Sequence, residues 1–133
     1  MKVYKKVRQL KDGNLYPLFI DKTKPFVFGE KMRAEFHPTN GFAPRSLNGF
    51  DENPIGGWHC CFKPLAPHIS DKLKSGEKRV WMECEAEGKN AKYDRPESQG
   101  GEWCLYEYIT PLRILSDDDV NNILSKSNYE VII

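Results

Sequence analysis

The chain has 133 residues, which fits one domain and is short for two. At that length roughly two-thirds of the surface of the unfolded chain can be buried, so a core requires neither disulfides nor metal. Twenty Lys and Arg against nineteen Asp and Glu leave a net charge of +1, which excludes the strong basic field that a long nucleic-acid track needs.

Nine Pro and ten Gly are spread along the chain, so long helices are not expected. The start, Met1-Lys2-Val3-Tyr4-Lys5-Lys6, carries no apolar secretion-signal run, and nothing approaches a membrane span; the expectation is a cytoplasmic protein. Val3 to Leu10 alternates loosely, Lys11-Asp12-Gly13-Asn14 is a turn, and Leu15 to Ile20 is apolar; together they predict a hairpin. A short strand is expected over Phe26 to Phe28, ending at Gly29. Glu30 to Phe36 is open between strand and helix, because periodicity does not decide over so few residues. His37 to Gly57 holds three Pro and four Gly and predicts a long loop, of the kind that usually binds or covers a site.

Trp58-His59-Cys60-Cys61-Phe62 predicts a short apolar strand, and Pro64 to Leu73 a helix that Pro67 keeps to about two turns. Val80 to Glu87 is the cleanest strand: Val80, Met82, Cys84 and Ala86 on one face, Trp81, Glu83, Glu85 and Glu87 on the other. Lys89 to Gly101 is polar and reads as turns. Trp103 to Ile109 is a strand whose apolar run continues past Pro111 to Leu115. Ser116 caps a short helix with Asp117, Asp118 and Asp119 in its first turn and an apolar stripe of Val120, Ile123 and Leu124. Tyr129 to Ile133 predicts a closing strand. The sum is an α+β single domain over residues 1–133, mainly an antiparallel sheet with two short helices.

Chemistry has few places to sit. Cys60, Cys61, Cys84 and Cys104 fall in apolar strand segments and are expected to be reduced core thiols. A zinc site assembled from them with His37, His59 and His68 lacks a Cys-x-x-Cys knuckle, and consecutive Cys60 and Cys61 point to opposite faces; no metal site is expected. The Glu83, Glu85, Glu87 row is either a solvated sheet face or a site for a cation or basic partner. Glu102 follows Gly100-Gly101 at the mouth of an apolar strand. A carboxylate there is either functional or an exposed strand end beside a turn. Phe42, Phe50 and Trp58, with His37 and Arg45, suit a planar base and a phosphate, or else form a satellite core under the loop. No Gly-x-Gly-x-x-Gly, P-loop or nucleophile elbow occurs, and Ser70-Asp71 has no base at a telling spacing.

Gly57-Trp58-His59-Cys60-Cys61-Phe62-Lys63-Pro64-Leu65, a short helix, and Val80-Trp81-Met82-Glu83-Cys84-Glu85-Ala86-Glu87-Gly88 together resemble part of the ADP-ribosyltransferase superfamily, poly-ADP-ribose polymerase branch. The later Gly101-Glu102-Trp103-Cys104-Leu105-Tyr106 is similar to the run that carries that branch's catalytic glutamate. The resemblance covers roughly residues 57–110. It implies a split sheet that binds NAD, with Glu102 placed to stabilise an oxocarbenium-like transition state and His59 standing where the family has a tyrosine against nicotinamide. Its first motif has its nearest counterpart in His37-Pro38-Thr39, with Tyr16 and Lys5 as further candidates. Gly57, Trp58, Phe42, Arg45 and Tyr106 would line the cofactor.

The whole chain also resembles a group of small phage and gut-bacterial mobile-element proteins that share its Gly-Trp-His-Cys and Arg-Pro-Glu-Ser-Gln-Gly-Gly patterns, which implies a bacterial host cell. Two functions follow from the resemblances. One is a nucleotide-binding domain that transfers ADP-ribose from NAD. The other is a non-enzymatic counter-defence protein, an anti-CRISPR-like inhibitor of a bacterial defence protein or a sequesterer of a signalling nucleotide.

Overall fold

A computed structural model describes residues 1–18, 24–34, 57–66, 78–94, 96–99 and 101–132. The elements in chain order are β1 (Lys2–Gln9), β2 (Leu15–Tyr16), β3 (Met32–Arg33), β4 (Trp58–Cys61), β5 (Lys78–Asp94), β6 (Glu102–Leu115) and α1 (Asp117–Ile132). All pairings are antiparallel, and the described residues form an α+β arrangement of six strands and one α-helix.

The sheet closes on itself. β1 pairs with β5 along its whole length, from Lys2 opposite Glu85 to Gln9 opposite Lys78. β5 pairs with β6, β6 with β4, and β4 returns to β1 where Cys61 faces Tyr4. Two long strands make this circuit possible because each bends and serves two neighbours. Register shifts mark the bends, one between Glu83 and Cys84 and one between Glu87 and Asn90. At the first, β6 passes through Pro111, a residue that sheets accept at irregular positions because it has no amide to donate. At the second, Gly88 takes φ +85°, a left-handed conformation that side-chain-bearing residues rarely adopt.

Closure divides the side chains into two sets. Inside lie Val3, Val7, Cys60, Met82, Cys84, Ala86, Cys104 and Ile109, with Trp58 and Tyr106 joining them. Outside, Tyr4, Cys61, Trp81, Trp103 and Leu115 form a second cluster, covered by Val120 and Ile123 of α1. The alternation expected for β5 holds: Met82, Cys84 and Ala86 face in, and Trp81 faces out. All four cysteines are free and buried, as expected of core thiols, and consecutive Cys60 and Cys61 fall in different clusters.

The hairpin of β1 and β2 forms around the turn at Lys11 to Asn14, where Asn14 donates to the Asp12 carboxylate. Ser116 caps α1 as expected. Its Oγ accepts from the Asp119 amide at 3.1 Å, and its own amide donates to the Asp119 carboxylate at 3.0 Å.

Several expectations are corrected. The strand expected over Phe26 to Phe28 reduces to one bridge between Phe26 and Leu15. Glu30 to Phe36 yields a two-residue strand where it is described, Met32–Arg33. Lys89 to Asp94 is strand, not turn, because the glycine bulge lets β5 continue with polar residues along an exposed stretch. The closing strand expected over Tyr129 to Ile133 is replaced by helix to Ile132: no Pro or Gly follows Ser116, so nothing stops the capped helix. Pro64 to Ala66 is not helical, and the remainder of that expected helix lies outside the described residues. One α-helix, rather than two, is therefore present among the described residues, and none there is long and apolar enough to cross a membrane.

Three substitutions test this frame. A Cβ at Gly88 would stand 2.8 Å from Glu107 Oε1 and 2.9 Å from the Tyr108 ring, whereas at Gly13, also at positive φ, it would meet nothing within 4 Å. Gly88→Ala should lower the urea midpoint by clearly more than Gly13→Ala, whose cost is the backbone strain alone, about 1–2 kcal/mol. Ser116→Ala should cost about 1 kcal/mol in the same measurement.

Candidate functional site

The residues expected to act on NAD fall into three groups. His37, Phe42 and Arg45, with the rest of the long loop up to Gly56, lie outside the described residues. Gly57, Trp58 and Tyr106 belong to the walls and filling of the barrel. His59 and Glu102 remain, and the register decides how they relate.

Trp58 is opposite Tyr106, and both are buried. The Trp58 indole N–H donates to the Met32 carbonyl at 3.1 Å, and its ring lies 5.5 Å from that of Phe26. Burial pushes the Tyr106 hydroxyl up, helped by the nearby Cys104 and Cys60. These aromatics belong to the core. Gly57 is required by packing: a Cβ there would stand 2.9 Å from that of Leu105.

His59 is opposite Leu105 and half-buried. Its neighbours Trp58 and Cys60 point inward, so His59 points outward. Glu102 alternates with inward-facing Cys104 and so shares the inner side, at the rim, where it is exposed. The position opposite His59 is Leu105, three steps along β6 from Glu102 and so about 10 Å at the usual strand rise. The two groups therefore lie on opposite faces and do not converge.

A different set shares the inner side of the sheet with Glu102. Lys92 is opposite Cys104 on the neighbouring strand, and its ammonium stands 5.4 Å from the centroid of the half-buried Phe62 ring. Phe62 packs against the inner cluster and follows Cys60 by two positions. Ring, ammonium and carboxylate thus share one side of the sheet at one rim of the barrel. Deeper on the same side, Lys5 donates to the His59 carbonyl at 2.8 Å and lies 5.7 Å from the Trp58 ring. Lys92 falls in the stretch read as turns, so its place on a strand is not visible without the bulge; Phe62 is visible as the residue two beyond Cys60.

In the closed fold the thiols do not offer a nucleophile to a bound ligand. Burial pushes Cys60 up to about 11, and pushes Cys84 and Cys104 higher still, with Lys5 opposing the shift in each case. They are neutral near pH 7. Among the described residues no three His, Cys, Asp or Glu side chains come together in a way that would hold a metal ion.

The glutamate row is structural. Glu85 meets the Met1 ammonium at 2.5 Å, Glu87 meets Lys31 at 2.8 Å, and Glu83 meets Arg113 at 2.6 Å and Lys2 at 3.2 Å. Glu83 is the one buried charged residue identified among the described residues. Arg113 also reaches Asp119 at 3.4 Å, so the network runs from the sheet into the cap of α1. Burial pushes the Glu83 carboxyl up, but the hydrogen bonds and charges of Arg113 and Lys2 outweigh it, and the net shift is downward.

Comparison of the chain with protein-family models, with curated proteins and with solved structures returns no match.

Because the folded Glu83 carboxyl lies below its unfolded value, its contribution is present above the unfolded value and is lost as pH falls through the folded one. Arg113→Met leaves burial opposed chiefly by Lys2. The variant should be less stable than wild type near neutral pH and begin acid unfolding at a higher pH, followed by circular dichroism.

Proposed function

We propose that this protein acts by binding a nucleotide or a related phosphorylated ligand rather than by turning it over. In this reading it is a non-enzymatic counter-defence protein of the phage or mobile-element type, which sequesters a signalling nucleotide or blocks a bacterial defence protein. The observation that carries the reading is the opposed placement of His59 and Glu102 across a closed sheet. A transferase of the resembled kind needs the two groups in one cleft, one against nicotinamide and the other at the adjoining ribose, and here about 10 Å of strand and the sheet itself lie between them.

The rim set supports the ligand class. A half-buried ring offers a face to a base, an ammonium an ion pair to a phosphate, and a carboxylate an acceptor to ribose hydroxyls. Phe62, Lys92 and Glu102 supply one of each on the same side of the barrel. Among the described residues no hydrogen bond or ion pair engages the exposed Glu102. That exposure also keeps ADP-ribosyl transfer as a second reading, in which Glu102 works without His59.

Calorimetric titration of the full chain with NAD, ADP-ribose and a cyclic dinucleotide separates these readings. Binding of at least one ligand is expected, weakened about tenfold or more by Lys92→Ala and by Glu102→Ala, with no release of free nicotinamide from NAD. Nicotinamide release that Glu102→Ala abolishes would establish transfer instead. Failure of all three ligands to bind would overturn the nucleotide reading.

A further inference from the structure

Cys60 and Cys104 stand directly opposite one another on β4 and β6. Both are fully buried and free. Directly opposed residues of an antiparallel pair have Cα atoms about 4.5 or 5.5 Å apart, and either spacing lies within the span of a disulfide. The Cys104 thiol already donates to the Cys60 carbonyl at 3.4 Å, so its sulfur rests on the β4 backbone. No other pairing among the four is favoured in the same way. Cys61 is on the outer side, and Cys84 has Val3 and Pro111 as its cross-strand partners.

We propose that Cys60 and Cys104 are an oxidisable pair, joined by a cross-strand disulfide when the protein meets a peroxide. One thiol, as thiolate, attacks a peroxide oxygen; the O–O bond breaks, and the departing hydroxide leaves as water with the proton released by the thiol. The resulting sulfenic acid is attacked by the second sulfur, so that the S–S bond forms, the S–O bond breaks and a second water leaves. Two thiols and one hydrogen peroxide give one disulfide and two waters, with the sulfurs oxidised and the peroxide reduced.

Access sets the pace. The thiols are sealed inside the barrel and are held neutral by burial, so reaction follows brief openings of β4. This strand has four residues and meets β1 at a single paired position. Once formed, the bond fixes β4 to β6 and with it the position of Phe62 just beyond the strand. The pair thus records oxidative exposure as a stiffer barrel wall beside the rim. The inference is independent of the ligand reading, since its readout is the covalent state of the sulfurs.

The test exposes the native full chain to hydrogen peroxide, blocks remaining thiols with an alkylating agent, and maps peptides by mass spectrometry. The expected product is lighter by two hydrogens, links the peptides that carry Cys60 and Cys104, and reverts with dithiothreitol. Its urea midpoint should exceed that of the reduced form. Cys84→Ala and Cys61→Ala should retain the link, and Cys104→Ala should lose it. A link through Cys84 or Cys61, overoxidation of single cysteines without a link, or thiol loss only after unfolding in urea would each overturn the proposal. Mapping the wild-type protein gives this answer even where Cys104→Ala does not fold.

Discussion

A ring of four strands has very little room inside it. Interior width grows with strand number, and eight strands already suffice for side chains alone to fill the space. The positions inside this smaller ring are accordingly taken mostly by compact residues: Val3, Val7, Cys60, Cys84, Ala86 and Cys104, with Met82 and Ile109 as the larger members. Three of the four cysteines belong to this set. Their presence follows from volume, since a thiol is a small apolar group whose weak donor finds a backbone carbonyl nearby. The larger Trp58 packs beside Phe26, which bridges to Leu15 of β2, and its indole N–H reaches the Met32 carbonyl of β3.

Closure with so few strands forces the long ones to bend, and each bend has its own chemical signature. Pro111 and Gly88 mark the two irregularities, one by lacking a donor and the other by accepting a positive φ. Between Tyr106 and Ile109 the inward positions of β6 advance by three residues instead of two, opposite the Gly88 bulge. The outer face then carries the charges that the interior cannot. Glu83 is buried there, but it is held by two cations, and Arg113 ties it to the residue that closes the cap of α1. A buried carboxylate with that many partners contributes orientation, fixing where the helix begins over Trp81 and Leu115.

Local features of this architecture were legible in the sequence where the physics is local. The alternation from Val80 to Glu87, the Lys11 to Asn14 turn, the Ser116 cap and the core character of the cysteines all depend on neighbours within a few residues. What depended on distant pairing was not legible. Lys89 to Asp94 looks like turns because its partner strand lies beyond a polar connection, and only pairing with Glu102 to Tyr106 holds it extended. Tyr129 to Ile133 has strand-forming residues, yet helix propagation from an intact cap overrides that preference. The same limit applies to the site. His59 and Glu102 look like partners in a linear motif, and only the register between β4 and β6 reveals which side of the sheet each occupies.

The pairing of β1 with β5 also has a kinetic side. Lys2 must find Glu85, and every position from there to Gln9 finds its partner on a strand separated from it by β2, β3 and β4. None of these contacts is local, so the loop-closure entropy is spent before the pairing returns any stabilisation. The hairpin of β5 and β6 is the extended pairing between strands adjacent in the chain. It is the natural nucleus, and the first strand of the chain is then the late arrival that seals the barrel. A nascent chain therefore holds β1 without its full-length partner until β5 has been synthesised, and most of its edge, from Lys2 to Val7, stays uncovered by β5 for that interval.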